Sequence, residues 1–544
     1  MRGRTLLARG KVFSLRGAVL LFAGMCLGLS APVACGAIFS SGYVSPADPS
    51  SWTDATTAYI GDTASGALTV NGGSLLRSST TYVSSGTATI EGDGTQWSST
   101  GKITVGSKGR LDIRGGAVVV NSGGATGINY PTGEVNGGIV NIAGAGSRWS
   151  TDIMYVNSGT VNVTNGGTVS VTSGSGINVW DGNGSFNTSV VLIDGPGSIW
   201  NTNEVGMWVG TGSLKITGGG LLTTASTGIS NQFSGVGWGF TSVYGRGDYY
   251  GMAKVDGAGS RWLNNSDLLV DCGVLSVSGG GAVTAASVSV APGSVLAIDI
   301  GRGSSLVATG GSITTSSPWC IFRFLAGADA VSGTTTAPIS ASIWSGAAGY
   351  QAIGGTWNTS THEFTVSSVQ SGEAGTQVSI DPAVTQRVLV TDGATGNAVG
   401  LSYLAASTAG TVASVTATEI DSWPLSRLAG LIAPNQRTLD AWNFAFSGTV
   451  PTTAKPMYLS FDIGSGYASN DLEVWSYNGT NWTKYDAFDI TSNGTWASFS
   501  ITSAGGYAVV ATVPEPGSVL LLMSALMMGL AALRRRGRLQ GNKY

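Results

Sequence analysis

The residues that could carry out acid–base, nucleophilic or metal chemistry are few in this chain. Only 10% of its 544 residues are charged, and His362 is the single histidine. We find no zinc-ligand spacing, no serine nucleophile elbow and no phosphate-binding glycine loop. A glycan-active enzyme needs clustered Asp, Lys and Arg or a pair of carboxylates at a set separation, whereas the charged residues here are scattered. The sequence therefore predicts a protein that is not an enzyme and that binds no metal and no other cofactor.

The charge and glycine content restrict the class of protein further. The net charge is -3, and blocks of like charge occur only at the two ends of the chain. A nucleic-acid partner is not expected, because phosphate binding needs a basic face on the folded body. The chain holds 84 glycines but is 42% hydrophobic, which indicates many short strands between glycine turns rather than a disordered linker.

The four cysteines form neither a metal site nor a disulfide framework by their spacing. Cys26 and Cys35 lie in the leader described below, which leaves Cys272 and Cys320 in the body. These two could pair in an oxidising compartment, or both could be buried thiols.

The C-terminal tail has three consecutive parts that suit a processing enzyme. Pro514, Glu515 and Pro516 come first, then the apolar run 517–533, then an arginine cluster made of Arg534, Arg535, Arg536 and Arg538. The two prolines impose a stiff, extended segment that fits an enzyme cleft. The run would form a transmembrane helix about 25 Å long, and the arginines would retain its end in the cytoplasm. An ordinary membrane anchor is the alternative, which the prolines disfavour.

The first 37 residues have the features of a signal peptide. Basic residues precede the apolar stretch 18–29, which is too short to span a bilayer, and small residues at Cys35 and Ala37 suit signal peptidase. Both ends of the chain thus place residues 38–512 outside the membrane.

The tail 513–540 closely resembles the PEP-CTERM sorting signal, since the Pro-Glu-Pro, the apolar run and the arginine cluster occur in that order. This resemblance implies recognition by an exosortase, a transpeptidase-like membrane enzyme of Gram-negative bacteria, with cleavage near the tripeptide. It also implies a place at the cell envelope or surface, anchored in the membrane before or without processing, and an association with exopolysaccharide and biofilm.

Two sequence words recur through residues 60–310. One consists of alternating apolar residues between a glycine and a glycine pair, as in GRLDIRGGAVV from Gly109. The other ends in tryptophan, as in IAGAGSRW at Trp149, and its four copies are spaced by 52, 51 and 62 residues. Alternation indicates strands that bury one face, and glycine pairs indicate corners. An all-β fold is predicted: a right-handed parallel β-helix (β-solenoid) over 38–317, with two coils of about 20–25 residues in each repeat.

The tryptophan word resembles a repeat shared by PEP-CTERM proteins and by the passengers of type V secretion systems (autotransporters). Its tryptophans are Trp97, Trp149, Trp200 and Trp262. They could form an external ladder for stacking sugar rings, but a structural role inside the corner of a coil is favoured.

The long last interval contains an aromatic insertion at 231–251. Trp238, Tyr244, Tyr249 and Tyr250 belong to it, and a loop of this kind is a candidate binding surface. Packing over a groove of the rod is an equally good interpretation.

The second half lacks both words and shows antiparallel patterns. Residues 318–385 are a transition or cap segment on the rod or form the first strands of the next domain, and 386–512 are predicted to form a β-sandwich-like domain with a hairpin at Asn478-Gly479. Predicted strands include 387–391, 472–477 and 506–511. Four acidic residues there could bind calcium, although solvated strand positions explain them as well: Asp462, Asp471, Glu473 and Asp489.

The sequence thus predicts an exported, exosortase-sorted structural or adhesion protein of the cell surface or extracellular matrix. Its partners would be signal peptidase, an exosortase, exopolysaccharide and the membrane. A glycan-active hydrolase or lyase of the envelope, built on a β-helix, is the alternative.

Overall fold

The computed structural model describes residues 36–122, 132–178, 189–202, 207–209, 212–224, 241–244, 251–271, 273–404, 413–448 and 450–513. Strands dominate, as predicted, and the parts of the chain described contain a single α-helix, α1 (Ser422–Ala429). Two short 3₁₀ helices occur at Pro49–Ser51 and Ser469–Asp471.

The first sheet of the rod is a stack of parallel strands with one antiparallel strand, β1, closing its N-terminal edge. Its thirteen strands are β1 (Ala37–Gly42), β4 (Gly66–Asn71), β7 (Thr87–Glu91), β10 (Arg110–Arg114), β13 (Ile139–Ala143), β15 (Thr160–Thr164), β17 (Val190–Asp194), β20 (Ser213–Thr217), β23 (Gly251–Asp256), β26 (Gly273–Ser278), β28 (Val295–Asp299), β30 (Ile321–Leu325) and β34 (Gly349–Ile353).

The second sheet of the rod contains two columns of strands. Some coils contribute a separate strand to each column, and in others one longer strand runs through both. Its members are β2 (Val44–Ser45), β3 (Ala58–Ile60), β5 (Leu75–Ser78), β6 (Thr81–Val83), β8 (Gln96–Ser99), β9 (Ile103–Val105), β11 (Val118–Asn121), β12 (Thr132–Asn136), β14 (Arg148–Asn157), β16 (Thr168–Asn178), β18 (Ile199–Asn201), β19 (Met207–Val209), β21 (Leu221–Thr224), β22 (Thr241–Tyr244), β24 (Arg261–Asn264), β25 (Asp267–Asp271), β27 (Ala282–Val290), β29 (Ser305–Thr315), β32 (Ile339–Ser340) and β33 (Ile343–Ser345).

Parallel pairing in register builds the core of this β-solenoid. Ile90, Ile113 and Ile142 lie beside one another on successive strands of the first sheet, and all three are fully buried. Polar residues alternate with them on the outward face, which is the alternation that the sequence shows. The parallel stack of the prediction is confirmed. Its right-handed coiling stays a prediction, which rests on the strong preference of parallel crossover connections for that hand.

The rod is longer than the predicted 38–317, because parallel strands continue through β34. In β30, Phe322 and Phe324 face the core at alternate positions although both sequence words have faded. A small sheet then covers this end of the rod with β31 (Thr335–Thr336), β35 (Gly355–Asn358) and β36 (Glu363–Val366). Phe364 of β36 belongs to the same core as the coils.

The second half folds into two six-stranded sheets around one core. One sheet holds β37 (Val369–Glu373), β39 (Arg387–Thr391), β40 (Ala398–Ser402), β43 (Met457–Asp462), β47 (Trp496–Ile501) and β46 (Thr491–Ser492). The other holds β38 (Gln377–Ile380), β41 (Ala413–Glu419), β42 (Gln436–Ser447), β48 (Gly505–Thr512), β44 (Leu472–Tyr477) and β45 (Trp482–Tyr485). The sandwich therefore begins at Val369, so that its first strands lie within 318–385, the segment whose assignment to a cap or to the sandwich the sequence leaves open.

The two ends of the chain carry predictions that the described residues do not reach. Nearly all of the signal peptide 1–37 and the membrane run 517–533 lie outside them. Among the residues described, no helix combines the length and the apolar character needed to cross a bilayer.

Candidate functional site: repeat, domain interface and sorting tail

The four repeated tryptophans lie in one column inside the rod. Trp97, Trp149, Trp200 and Trp262 are fully buried. They alternate along the second sheet with aliphatic residues of the intervening coils, so that Val119 lies between Trp97 and Trp149. One tryptophan in every second coil explains the period of about fifty residues. Since the indoles are enclosed, they offer no surface to a sugar ring.

The preceding coil supplies a hydrogen-bond acceptor to three of the four indoles. The Nε1–H groups donate to Ser78 Oγ at 3.0 Å for Trp97, to Asn121 Oδ1 at 2.8 Å for Trp149 and to Thr224 Oγ1 at 3.2 Å for Trp262. Trp200 Nε1 has no partner among the described residues. Val171 occupies the corresponding place beside it, and an isopropyl group accepts no hydrogen bond.

The two sequence words meet at the corners of the coils. Ser147 of the tryptophan word accepts a hydrogen bond from the N–H of Gly116, which belongs to the glycine pair one coil earlier. The same contact joins Thr95 to Gly73, Ser198 to Gly166 and Ser260 to Gly219 at 3.0–3.1 Å. Gly116 has φ +89°, a left-handed conformation that a residue with a side chain rarely adopts. The glycine pair of one coil and the Ser or Thr hydroxyl of the next tryptophan word thus form each corner together.

The aromatic insertion is only partly within the described residues. Its segment Thr241–Tyr244 forms β22, a strand of the second sheet that pairs with β19 and β25. Trp238, Tyr249 and Tyr250 lie outside the described residues, as does the side chain of Tyr244. Its role as a binding loop stays a prediction.

A buried ion pair fastens the sandwich to the side of the rod. Lys254 and Asp256 point outward from β23 but are only 3% and 2% exposed, because the sandwich covers them. Their charged groups are 3.5 Å apart. Lys254 Nζ donates to the carbonyl oxygen of Ile490, and Asp256 accepts from Ser469 and, at 2.7 Å, from Thr491.

The electrostatics of Asp256 suit this buried position. Burial by itself would raise the pKa of its carboxyl, but the ammonium of Lys254 and the hydroxyls of Ser469, Thr491 and Ser278 outweigh it and lower that pKa below its usual value. Asp256 is thus held as a carboxylate at neutral pH, and removal of either charge would leave its partner buried and uncompensated.

A second charged group lies further along the same interface. Arg302 Nε donates to Asp329 Oδ2 at 2.7 Å, and Asn493 of the sandwich donates to the same oxygen at 3.0 Å. Asp299 is fully enclosed nearby; burial raises its pKa to about 6 in spite of Arg302, and Asp329 adds to the rise. Burial also raises the pKa of the Tyr458 hydroxyl far above its usual value, and that hydroxyl has no partner among the described residues.

These interface residues were missed at the level of sequence. A charged residue at an outward strand position looks the same whether water or another domain covers it. The sequence offered one sign of this interface. The outward strand position that holds Asn141 and Asn162 in early coils of the first sheet holds Lys254 in a later coil. Cys320 is buried with its thiol donating to the Val290 carbonyl oxygen. Cys272 lies outside the described residues, and its pairing with Cys320 stays one of the two alternatives of the prediction.

The four acidic residues considered for calcium do not converge. Glu473 pairs with Lys484 at 2.7 Å, Asp489 accepts the N–H of Ser500 at 3.1 Å, and Asp462 accepts the N–H of Gly464. Across the part of the chain that the structure describes, no three His, Cys, Asp or Glu side chains are close enough to hold a metal ion.

His362 has a packing role in the cap, where its ring stacks on Trp344 with the ring centroids 4.2 Å apart.

The sorting tail leaves the sandwich without a linker. β48 lies between β42 and β44 at the middle of its sheet, and Ala511 near its end is fully buried. The N–H of Val513 donates to the carbonyl oxygen of Asn435 at 2.7 Å, and Pro514 follows directly. Pro514, Glu515, Pro516 and the arginine cluster lie outside the described residues.

Comparison with known proteins identifies this tail. A family model described as the PEP-CTERM protein-sorting motif matches residues 512–536. The searches of curated proteins and of solved structures gave no match. The chain therefore carries a PEP-CTERM motif and is an exported protein that an exosortase sorts to the envelope of a Gram-negative bacterium. Because the match covers the tail alone, the likeness of the repeat to autotransporter passengers stays a prediction.

Proposed function

We propose that this exported protein is a non-catalytic component of the cell surface or extracellular matrix, whose rod serves in adhesion or scaffolding together with exopolysaccharide in a biofilm. The supporting observation is an unbroken connection between the sorting tail and the rod. The tail continues a central strand of the sandwich, and the sandwich is joined to the rod by the buried pair Lys254–Asp256. A tail held at the envelope therefore keeps the sandwich, and with it the rod, at the envelope.

The outward faces of the rod also suit contact with a polyhydroxylated polymer. Asn141 donates to Asp112 at 2.7 Å and Asn162 donates to Asn141 at 2.9 Å, which forms a ladder of amide and carboxylate groups along the first sheet. On the second sheet Tyr59 and Tyr82 stack with ring centroids 5.3 Å apart. Polar ladders and aromatic rings together are the groups that pair with sugar hydroxyls and sugar faces.

The alternative, a glycan-active hydrolase or lyase, is supported by one feature. Asp256, Asp299 and Asp329 lie along one side of the rod together with Arg302. The sandwich covers these residues, so a glycan would reach them only after the two domains separate. A lasting, polar domain interface explains the same residues without any substrate.

The two functions are separated by incubating the mature protein, purified from the envelope, with exopolysaccharide of its host. Co-sedimentation without formation of new reducing ends or unsaturated sugars is expected, and Tyr59→Ala with Tyr82→Ala should weaken it. The matched control is Ile343→Ala, an exposed apolar residue at the opposite end of the rod. Release of reducing ends that Asp299→Asn abolishes would favour the enzyme, and absence of co-sedimentation would contradict the exopolysaccharide link.

A further inference from the structure

The sorting tail brings one end of the sandwich close to the membrane. Val513 is still part of the fold, since its N–H donates to the Asn435 carbonyl oxygen at 2.7 Å. Three residues, 514–516, separate it from the apolar run 517–533, and a fully extended chain covers that interval in about 14 Å at most. Whenever this run spans the bilayer, as the sequence predicts, the lipid surface therefore lies within about 14 Å of Val513.

The rod occupies one side of the sandwich, and α1 occupies the opposite side. Ser402 of β40 donates to the Ala326 carbonyl oxygen of the rod at 2.6 Å, so the sheet that holds β40 faces the rod. α1 covers the outer face of the other sheet, where Leu428 is fully buried in one cluster with Ala508 and Val510 of β48. A bilayer on the α1 side would therefore leave the rod on the far side of the sandwich.

The α1 side carries two exposed apolar side chains near the tail. Trp423 at the start of α1 is 64% exposed, and Leu431 just beyond its end is 55% exposed. Both belong to the segment 422–435 (the α1 segment), which ends at the residue bonded to Val513. The Arg427 guanidinium lies 5.3 Å from the centre of the Trp423 ring. Tryptophan and arginine side chains are favoured where a membrane meets water, since each combines an apolar body with a polar end.

Comparable exposure occurs elsewhere in the described sandwich only at the end remote from the tail. Val384 is 70% exposed and Val450 is 44% exposed. Val450 follows the last residue of β42, whereas Gln436 at the start of β42 pairs with Thr512 beside the tail. Val384 follows β38, whose Ile380 pairs with the first residue of β41, at that same remote end. The tail therefore brings Trp423 and Leu431 to the lipid but not these two valines.

We infer that the α1 segment is a membrane-docking surface. While the tail is inserted, Trp423 and Leu431 enter the interfacial layer of the lipid surface from which the tail emerges, and the rod lies on the side of the sandwich away from the bilayer. Two side chains would bind lipid weakly from solution, but the tail makes the contact intramolecular and raises the effective concentration of the lipid surface. The inference goes beyond the proposed function and needs no polysaccharide.

Fluorescence quenching in proteoliposomes tests this docking. The protein is purified from a host without exosortase, so that it keeps its tail, and is reconstituted into vesicles of phosphatidylethanolamine and phosphatidylglycerol that contain a nitroxide-labelled lipid. A fluorophore is attached at Ser426→Cys on α1 or at Ser465→Cys, and wild-type protein treated with the same reagent gives the background. Both serines are exposed. Ser465 follows β43 of the rod-side sheet, and Tyr467 beside it contacts Arg437 at the tail end of the sandwich.

The label at Ser426→Cys should lose most of its fluorescence to the nitroxide, while the label at Ser465→Cys keeps it. Trp423→Asp combined with Leu431→Asp should abolish the quenching at Ser426→Cys, and Val384→Asp combined with Val450→Asp should leave it unchanged. Thermal unfolding checks that both double variants fold like the parent protein.

Four results would overturn the inference. They are equal quenching of the two labels, which a sandwich standing on its end would give, an unquenched label at Ser426→Cys, quenching that survives Trp423→Asp with Leu431→Asp, and failure of the protein to enter the vesicles. An α1 segment that docks on the exosortase instead of on lipid would give the second result, because the vesicles contain no enzyme. Since they contain no polysaccharide either, loss of exopolysaccharide binding would contradict the proposed function alone.

Discussion

The hydroxyl of Ser147 joins two successive coils of the rod. It accepts the N–H of Gly116 at 3.1 Å and donates to the carbonyl oxygen of Ala143 at 2.8 Å. Both bonds are partly shielded from water, so loss of the hydroxyl leaves a backbone donor without a partner. We expect Ser147→Ala to lower the free energy of unfolding by about 1–3 kcal/mol.

Urea denaturation monitored by tryptophan fluorescence would measure this change. Ser147→Thr is the matched control, because Thr95 occupies the equivalent corner and makes the same two contacts. Alanine and threonine variants of equal stability would contradict the account of the corner.

The unpartnered indole of Trp200 offers a stabilising substitution. Val171→Thr keeps the volume of the side chain and places an acceptor where Asn121 and Thr224 serve the other indoles. We expect the new hydrogen bond to offset the cost of burying a hydroxyl and to leave stability unchanged or raised by about 1 kcal/mol.

Val169→Thr, two residues earlier on the same buried face, occupies the place of Leu76, Val119 and Leu222, from which none of the other three indoles receives a hydrogen bond, and should cost about 1–3 kcal/mol. Thermal unfolding of Val171→Thr and Val169→Thr under identical conditions would compare their changes in stability. Equal losses at both positions would show that the hydroxyl introduced by Val171→Thr does not reach the indole.

The pKa of Asp299, raised by burial to about 6, makes the domain interface sensitive to pH. A carboxyl with a raised folded-state pKa binds its proton more tightly in the folded protein. Its contribution to stability is therefore present below its ordinary pKa of 3.8 and is lost as the pH rises to about 6. Asp299→Asn should raise the free energy of unfolding by up to about 3 kcal/mol at pH 7.5 and change little at pH 4.

Asp256→Asn is the control of opposite sign, because the pKa of Asp256 is lowered. Its charge stabilises the fold at neutral pH, where the substitution leaves Lys254 buried without its carboxylate. Thermal unfolding between pH 4 and 8 would follow both variants. A destabilised Asp299→Asn at pH 7.5 would contradict the assignment.

The features that could be predicted from the sequence are those set by interactions between nearby residues. Alternation at Leu111 and Ile113 indicated buried strands, and the fifty-residue period corresponds to two coils with one tryptophan. In the sandwich, the strands at Arg387–Thr391 and Leu472–Tyr477 coincide with their predicted bounds. These features depend on neighbours along the chain or on the adjacent coil.

Contacts between distant segments could not be predicted in the same way. Asp256 meets Thr491 across 235 positions of the chain, and its sequence neighbours give no sign of that contact. The end of the rod at Ile353 was also missed, because β30 and β34 keep the alternation but lack the glycine pairs and tryptophans that made the earlier coils visible.

The most direct test of the account is the location of the protein with and without its sorting tail. In an exosortase-bearing host, epitope-tagged full-length protein should be retained at the cell surface. Chains ending at Val513, and full-length chains with Pro514→Ala and Pro516→Ala, should fold normally but lose that retention. Undiminished surface display of all three proteins, or failure of the full-length chain to leave the cytoplasm, would contradict the view that this rod is exported and sorted through residues 512–536.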